Sequence, residues 1–470
     1  EFYETTLLFR QNALRRTLST GPKRRNTNPY LKQNFFTLSL WLLDSDMTKD
    51  IALTNKVCSL DRANIKSSYW KIPDAEMNLT SLALNDSEGS VKLAISSANT
   101  DNNLYLYELD PYHDYLTHHT TISLPNIHSL CWVKNTHARF LVSGNSKGFA
   151  HLVSLPRANS DGVPESAEIV KRFNHRKYLR LVNKDPALIM HRSTTVHNLG
   201  FLADSLVTTY DDTLFLWALN DVHLSMRPRP VSISVVPGIA GFDVPATNSS
   251  TLALCGLFGV SLFDTRQARH SVPSSSLAKS GAAALAANFV KWHGSCDYKL
   301  ASAHADGRVH LWDIRMNDTF AEISGHSGKA VTTMAWNGND LFTGASDGII
   351  AHWDLSSDLD PEQDLSFQGD KLRHCTLKEG INSVAFDAVS NSLVHSVGER
   401  QCGTLLPALN NKIVGMCLLV ESIGAGSRCK ILLIDGAAFL GLHGKIYDAA
   451  TGTDDKKYYS REDLALINQS

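Results

Sequence analysis

Within the 470 residues, Gly325-His-Ser-Gly-Lys329 comes nearest to a catalytic motif. A phosphate-binding loop can end in Gly-Lys, but it needs an earlier glycine and a Ser or Thr after the lysine; Ala330 follows here. A nucleophile elbow needs a residue between its serine and second glycine, and this stretch has none. Gly424-Ala-Gly426 lacks the helical pattern and distal carboxylate of a dinucleotide site. The 19 histidines are mostly isolated, and His118-His119 has no cysteine or carboxylate at metal-ligand spacing. No nucleophile, base and acid stand in a recognisable frame. The expectation is a chain that is not an enzyme and carries neither metal nor cofactor.

Charge offers two contact surfaces instead. Between Thr5 and Leu43 lie Arg10, Arg15, Arg16, Lys23, Arg24, Arg25 and Lys32, with no acidic residue. Gly21-Pro22 and Asn28-Pro29 interrupt regular structure there, so residues 1–33 read as a flexible basic arm. Thr17 and Ser19 follow Arg15-Arg16 and look like basophilic kinase targets; phosphate there would subtract about two charges. The second surface is Lys171, Arg172, His175, Arg176, Lys177 and Arg180, interleaved with Phe173 and Tyr178. Cations among aromatics can stack on bases or pack on a protein, and nucleic acid is expected only through these two stretches.

The whole chain is not basic. Lys plus Arg number 45 against 47 Asp plus Glu, a formal charge of −2. Hydrophobic residues are 43% and charged residues 20%, which excludes wholesale disorder. Eight cysteines scattered from Cys58 to Cys429, with no CxxC pair, read as reduced thiols of an intracellular protein. No apolar run reaches the roughly 18 residues of a membrane span; the longest, Thr251–Phe263, reads as buried strands. The chain starts at Glu1 rather than at a methionine, the pattern of a trimmed or partial protein.

A repeat places these residues. Tyr298–Asp313 and Asp340–Asp354 each read as a strand of small residues, an Asp-Gly turn (Asp306-Gly307, Asp347-Gly348) and a strand ending in Trp-Asp. Glycine supplies the positive φ that the turn requires. Weaker copies put Tyr107, Val153, Trp217 and Phe263 where Trp312 and Trp353 stand, with successive spacings of 46, 64, 46, 49 and 41 residues. The long spacing contains a polar insertion, 157–192, expected to be a surface excursion.

These units resemble the WD-repeat family, whose repeat of about 40 to 45 residues forms one four-stranded β-propeller blade. The resemblance implies a buried tetrad in each good blade, and one repeat supplies all four members: His326, Thr343, Asp347 and Trp353. The carboxylate can hold the imidazole, the imidazole the hydroxyl, and the hydroxyl the indole N–H. The preceding repeat keeps Ser302, Asp306 and Trp312 but has no Gly-His before it, so its network is expected to be incomplete. The fold expected is all-β: a single seven-bladed propeller over 34–445, with 446–470 a polar tail or short helix opened by Ser460-Arg-Glu-Asp463. Six units are countable. The seventh is expected from Ile381–Phe386 onward together with one or both ends, where Phe35–Leu43, Lys430–Ile434 and Ala438–Leu442 are strand candidates.

Finer resemblances suggest partners. Trp312-Asp-Ile-Arg315, with Phe263-Asp-Thr-Arg266 as a weaker copy, looks like the WDxR box by which some propellers join cullin-4 ubiquitin ligases; Arg315 and Arg266 would make the contact. Histone-binding propellers are only loosely similar. The arm running into Asn28-Pro-Tyr and Thr37-Leu-Ser-Leu-Trp-Leu42 resembles the budding-yeast daughter-cell-specific WD-repeat proteins. That resemblance implies a monomeric protein scaffold within a larger complex, acting in cell-wall metabolism and mother–daughter separation. It implies a cytoplasmic place at the bud neck, with the nucleus as the alternative.

Overall fold

The computed structural model describes residues 56–444 with interruptions, the longest at 157–165, 183–193, 220–227, 267–274, 356–372 and 378–398. Seven blades follow one another along this span. The first five blades are sequential, built from strands within 79–122, 127–174, 196–235, 239–277 and 287–324. The sixth takes Val331–Asn337, Asp340–Ala345 and Ile350–Asp354 and adds Glu399–Leu406 as its outer strand. The seventh takes Ile413–Ile423, Gly426–Asp435 and Phe439–Gly444. The first strands contact one another in turn, and the last contacts the first, so the sheets form a closed ring.

One pattern repeats in all seven first strands. Leu79, Ile127, Val196, Ile239, Ala287, Val331 and Ile413 each open a strand, with a second apolar residue three positions on and a third two further. Examples are Ile127, Leu130 and Trp132, or Val331, Met334 and Trp336. A simple strand would repeat every two residues. Every one of these strands carries a register shift just after its first residue, and the extra residue of a bulge converts the first step from two to three. The apolar residues therefore keep one side, against the neighbouring blade. The core lies in these blade-to-blade faces: Ala83, Leu104 and Leu106 of blade 1 pack with Leu130, Trp132 and Val153 of blade 2. Polar contacts tie the same seams, as when the Trp132 indole donates to the Ala83 carbonyl at 3.1 Å.

The N-terminal side closes the ring. Ile65–Lys71 pairs antiparallel with Phe439–Gly444, and Lys56–Arg62 adds a fifth strand outside it. The seventh blade thus joins residues about 370 positions apart, and the edge of Phe439–Gly444 is covered. Strand candidates Lys430–Ile434 and Ala438–Leu442 fall within this blade. Its first strand is Ile413–Ile423; Ile381–Phe386, Phe35–Leu43, the arm and the tail lie outside the described residues.

Two other features differ from the sequence expectation. The stretch 157–192 is not a surface excursion throughout: Glu168–Asn174 pairs with Phe149–Ser154 as the fourth strand of blade 2, and helix α1 (His175–Val182) follows directly. The apolar positions Phe173 and Leu179 bury both elements, which the surrounding charges obscured. The second is Arg373–Leu377, which pairs in parallel with the outer strands of both blade 5 and blade 6. It joins them into one nine-stranded sheet and occupies two edges that would otherwise stand open.

Candidate functional site

Because strands alternate in direction, each blade's second-to-third turn lies at the same end of the ring as the blade-to-blade links. The other two turns lie at the opposite end. The linking end carries the tetrads, and the opposite end carries the Trp-Asp-x-Arg corners.

In blade 6, His326 Nδ1 is 3.2 Å from Asp347 Oδ2 and its Nε2 is 2.7 Å from Thr343 Oγ1, which accepts the Trp353 indole N–H at 3.0 Å. Asp347 also accepts the Ile349 N–H at 2.8 Å, so the turn and the network share one carboxylate. His326, Thr343 and Trp353 are buried, each with its polar atoms matched.

Blade 5 lacks the full tetrad, as expected, but fills the histidine's place from within the blade. Trp312 donates to Ser302 Oγ at 2.8 Å, and Ser302 meets His304 Nε2 at 3.0 Å, from two residues along the same strand. His304 Nδ1 stands 2.9 Å from the Ala286 carbonyl; it can only donate there, which leaves Nε2 to accept from Ser302. His304 thus replaces the missing link histidine. Asp306 takes no part: it accepts the Arg308 N–H at 3.1 Å and sits half-exposed beside the Arg308 guanidinium.

Blade 3 draws its histidine from the basic stretch. His175 Nε2 contacts Thr208 Oγ1 at 2.7 Å, and Thr208 accepts the Trp217 indole at 3.0 Å. His175 is fully buried among Phe215, Trp217 and Tyr210, and burial pushes its pKa down to about 3. Lys171 is also buried, at 2% exposure, whereas Arg172, Arg176, Lys177 and Arg180 are exposed. The proposed contact set therefore loses Lys171 to the interior. Sequence spacing concealed the role of His175 because α1 separates it from its blade. It precedes Thr208 by 33 residues, against 17 for His326 and Thr343.

At the seam that closes the ring, His443 meets Ser67 Oγ at 2.7 Å through Nδ1 and Tyr69 Oη at 3.2 Å through Nε2. Burial pushes this imidazole down to about 4. No local motif marks it.

The corners come next. Arg315 forks onto its own Asp313, with Nε to Oδ1 at 3.0 Å and Nη2 to Oδ2 at 2.6 Å, and its guanidinium lies 3.6 Å from the Tyr298 ring centroid. Arg266 forks onto Asp264 in the same way, and those hydrogen bonds hold the Asp264 carboxyl down to about 2. Both arginines are outward, 53% and 75% exposed, and fixed in direction by their own carboxylates. Arg15, Arg16, Arg24 and Arg25 lie outside the described residues.

Nearer the axis, Lys291 of blade 5 pairs with Asp243 of blade 4 at 2.8 Å, and that carboxylate holds the ammonium above its ordinary pKa. Cys131 and Cys417, from the first strands of blades 2 and 7, lie within electrostatic range of Lys291. Burial pushes the thiols up to about 12 and about 11, which leaves them protonated. A small pocket between blades 3 and 4 is lined by Val207, Leu214, Leu216, Leu252 and Phe263 with hydroxyls, and no titratable group. Among the described residues no group of three or more His, Cys, Asp or Glu could hold a metal, and no helix is long and apolar enough to cross a membrane.

The family model described as the DSE1 N-terminal domain matches residues 74–450. A Debaryomyces hansenii protein named Protein DSE1 is 47% identical over 99% of this chain and 71% of its own. Proteins of the same name from Scheffersomyces stipitis and Saccharomyces cerevisiae are 44% and 24% identical over 100% of this chain, covering 72% and 88% of theirs. Among solved structures, a chain of the mitotic checkpoint complex is 13% identical, matched over 85% of this chain and 98% of its own, with a TM-score of 0.49.

Proposed function

The chain belongs to the DSE1 family, that of the daughter-cell-specific WD-repeat proteins, and on that premise we propose a non-catalytic adaptor acting in yeast cell-wall metabolism and mother–daughter separation. Family and fold together support a WD-repeat scaffold. Its place in the cell is the cytoplasm at the bud neck. The observation that carries the adaptor reading is how the chemistry-bearing side chains are committed. His175, His304, His326 and His443 hold blades together, the axial thiols are protonated, and Lys291 is paired. What remains outward is a rigid rim of turns, and rigid presentation keeps the entropy lost on binding small.

The test is affinity purification of the tagged full protein, with imaging of the tag and of cell separation in a deletion strain. Recovery of cell-division or wall-synthesis proteins, signal at the bud neck and unseparated daughters are the expected results. Normal separation with signal away from the neck would refute the role.

A second reading, substrate receptor of a cullin-4-type ligase, draws support from Arg315, held outward on Asp313 and Tyr298. Its test is Arg315→Ala: loss of cullin-4 adaptor subunits from the purified set supports it, and their absence from the wild-type set ends it.

A further inference from the structure

Over blades 2 and 3, the described residues at the linking end of the ring form a cationic face. The His175 N–H donates to the Gly148 carbonyl at 3.2 Å, which lays the first turn of α1 across the Ser146–Phe149 turn of blade 2. The approach is close: a Cβ on Gly148 would stand 2.7 Å from both Arg176 Cγ and the Tyr210 ring. Arg176 and Arg180 both act on Tyr210 of blade 3, so the helix spans the seam between the two blades. Lys147, Arg176, Lys177 and Arg180 are thereby gathered at one end, all exposed. Among the described residues none of the four has a carboxylate at ion-pair distance. Asp211 and Asp212, in the second-to-third turn of blade 3, stand at the same end, and Asp212 accepts the Gly238 N–H at 3.0 Å.

The same end carries protruding leucines. Leu181 of α1 is 67% exposed, Leu257 in the second-to-third turn of blade 4 is 76%, and Leu285 in the link into blade 5 is 49%. A helix that seats Leu179 and His175 in the propeller while presenting three cations and a leucine outward has the chemistry of an interfacial anchor. We propose that this face docks on an anionic lipid surface. The cations sit at the headgroup phosphates, and Leu181 and Leu257 enter the acyl boundary. An acidic protein segment would use the cations but would not require apolar groups standing clear of the surface in several blades. The lipid face is separate from the Arg315 corner at the opposite end of the ring.

The test is sedimentation of the full chain with phosphatidylcholine vesicles, with and without about 30% phosphatidylserine, at about 0.1 M salt. Binding is expected only with phosphatidylserine and should fade as salt rises. Replacing Arg176, Lys177 and Arg180 by Gln should weaken partition about a hundredfold, taking roughly fivefold per cation. Leu181→Ser should weaken it several-fold while leaving retention on a polyglutamate resin unchanged. Unaltered thermal melting of both variants keeps the comparison valid, since all four side chains are exposed. Equal binding to both vesicle types, or no effect of Leu181→Ser beside strong polyglutamate retention, overturns the proposal; the latter result assigns the face to an acidic protein.

Discussion

Acid is expected to unfold this propeller through imidazoles that the ring keeps neutral. His175 and His443 are both completely buried, and burial lowers them from 6.5 to about 3 and about 4. In the unfolded chain both return to the ordinary value, so below pH 6.5 the unfolded state takes up protons that the folded state refuses. Their contribution to stability is whole above pH 6.5 and declines as pH falls toward the folded values. At about pH 4.5 an unfolded imidazole is nearly all protonated while the folded one is mostly neutral. The difference amounts to about 2.5 kcal/mol per histidine, or about 5 kcal/mol for the pair. That is comparable with the whole stability of an ordinary domain. Urea unfolding followed by tryptophan fluorescence at pH 7.5, 6.0 and 4.5 measures it. His443→Gln can still reach Ser67 and Tyr69 with an amide, and should remove its own share, about 2.5 kcal/mol, of the pH dependence while leaving neutral-pH stability within about 1–2 kcal/mol. Stability unchanged down to pH 4.5, or a full pH slope surviving in both His443→Gln and His175→Gln, would refute the reasoning.

Three further perturbations probe the same architecture. Thr343→Val keeps the shape but leaves the Trp353 indole N–H and His326 Nε2 unpaired, an expected cost of about 2–4 kcal/mol; a cycle with Trp353→Phe should show coupling of about 1 kcal/mol, and strict additivity would deny the network. Gly307→Ala puts a Cβ 2.6 Å from the His326 carbonyl oxygen at φ +82°, and should cost at least about 2 kcal/mol in thermal unfolding. Gly338→Ala, in open space at φ +54°, should cost about 1 kcal/mol or less, so equal losses would count against the close approach. A chain starting after Ile72 loses the strand that covers Phe439–Gly444 and should aggregate on size-exclusion chromatography. A peptide of residues 56–72 added in trans should rescue it, and a truncated monomer with an unchanged melt would show that the ring does not need that strand.

Some of this was legible in the residues before any coordinates. Asp347-Gly348 and Asp306-Gly307 announce turns because only glycine takes positive φ freely, and φ there is +81° and +82°. The indole at Trp353 and the hydroxyl at Thr343 are ten residues apart across one hairpin, so local spacing sufficed to bring them together. The apolar pattern of the first strands was also present, but the bulge changed its period and hid it from a search for simple alternation. Other assignments belong to the tertiary structure alone. His443 meets Ser67 across 376 residues, and nothing local to either encodes a partner that only ring closure delivers. His304 could stand in for a link histidine only once the Ala286 carbonyl was placed beside it. Lys171 and Arg172 are neighbours in sequence, yet one is buried and the other exposed, because successive side chains of a strand point to opposite faces and the sheet decides which face is inside. Short-range chemistry therefore determines turns, strands and the repeat. Which strand closes the wheel, and which cations remain outside it, follow from contacts that exist only after the blades have packed.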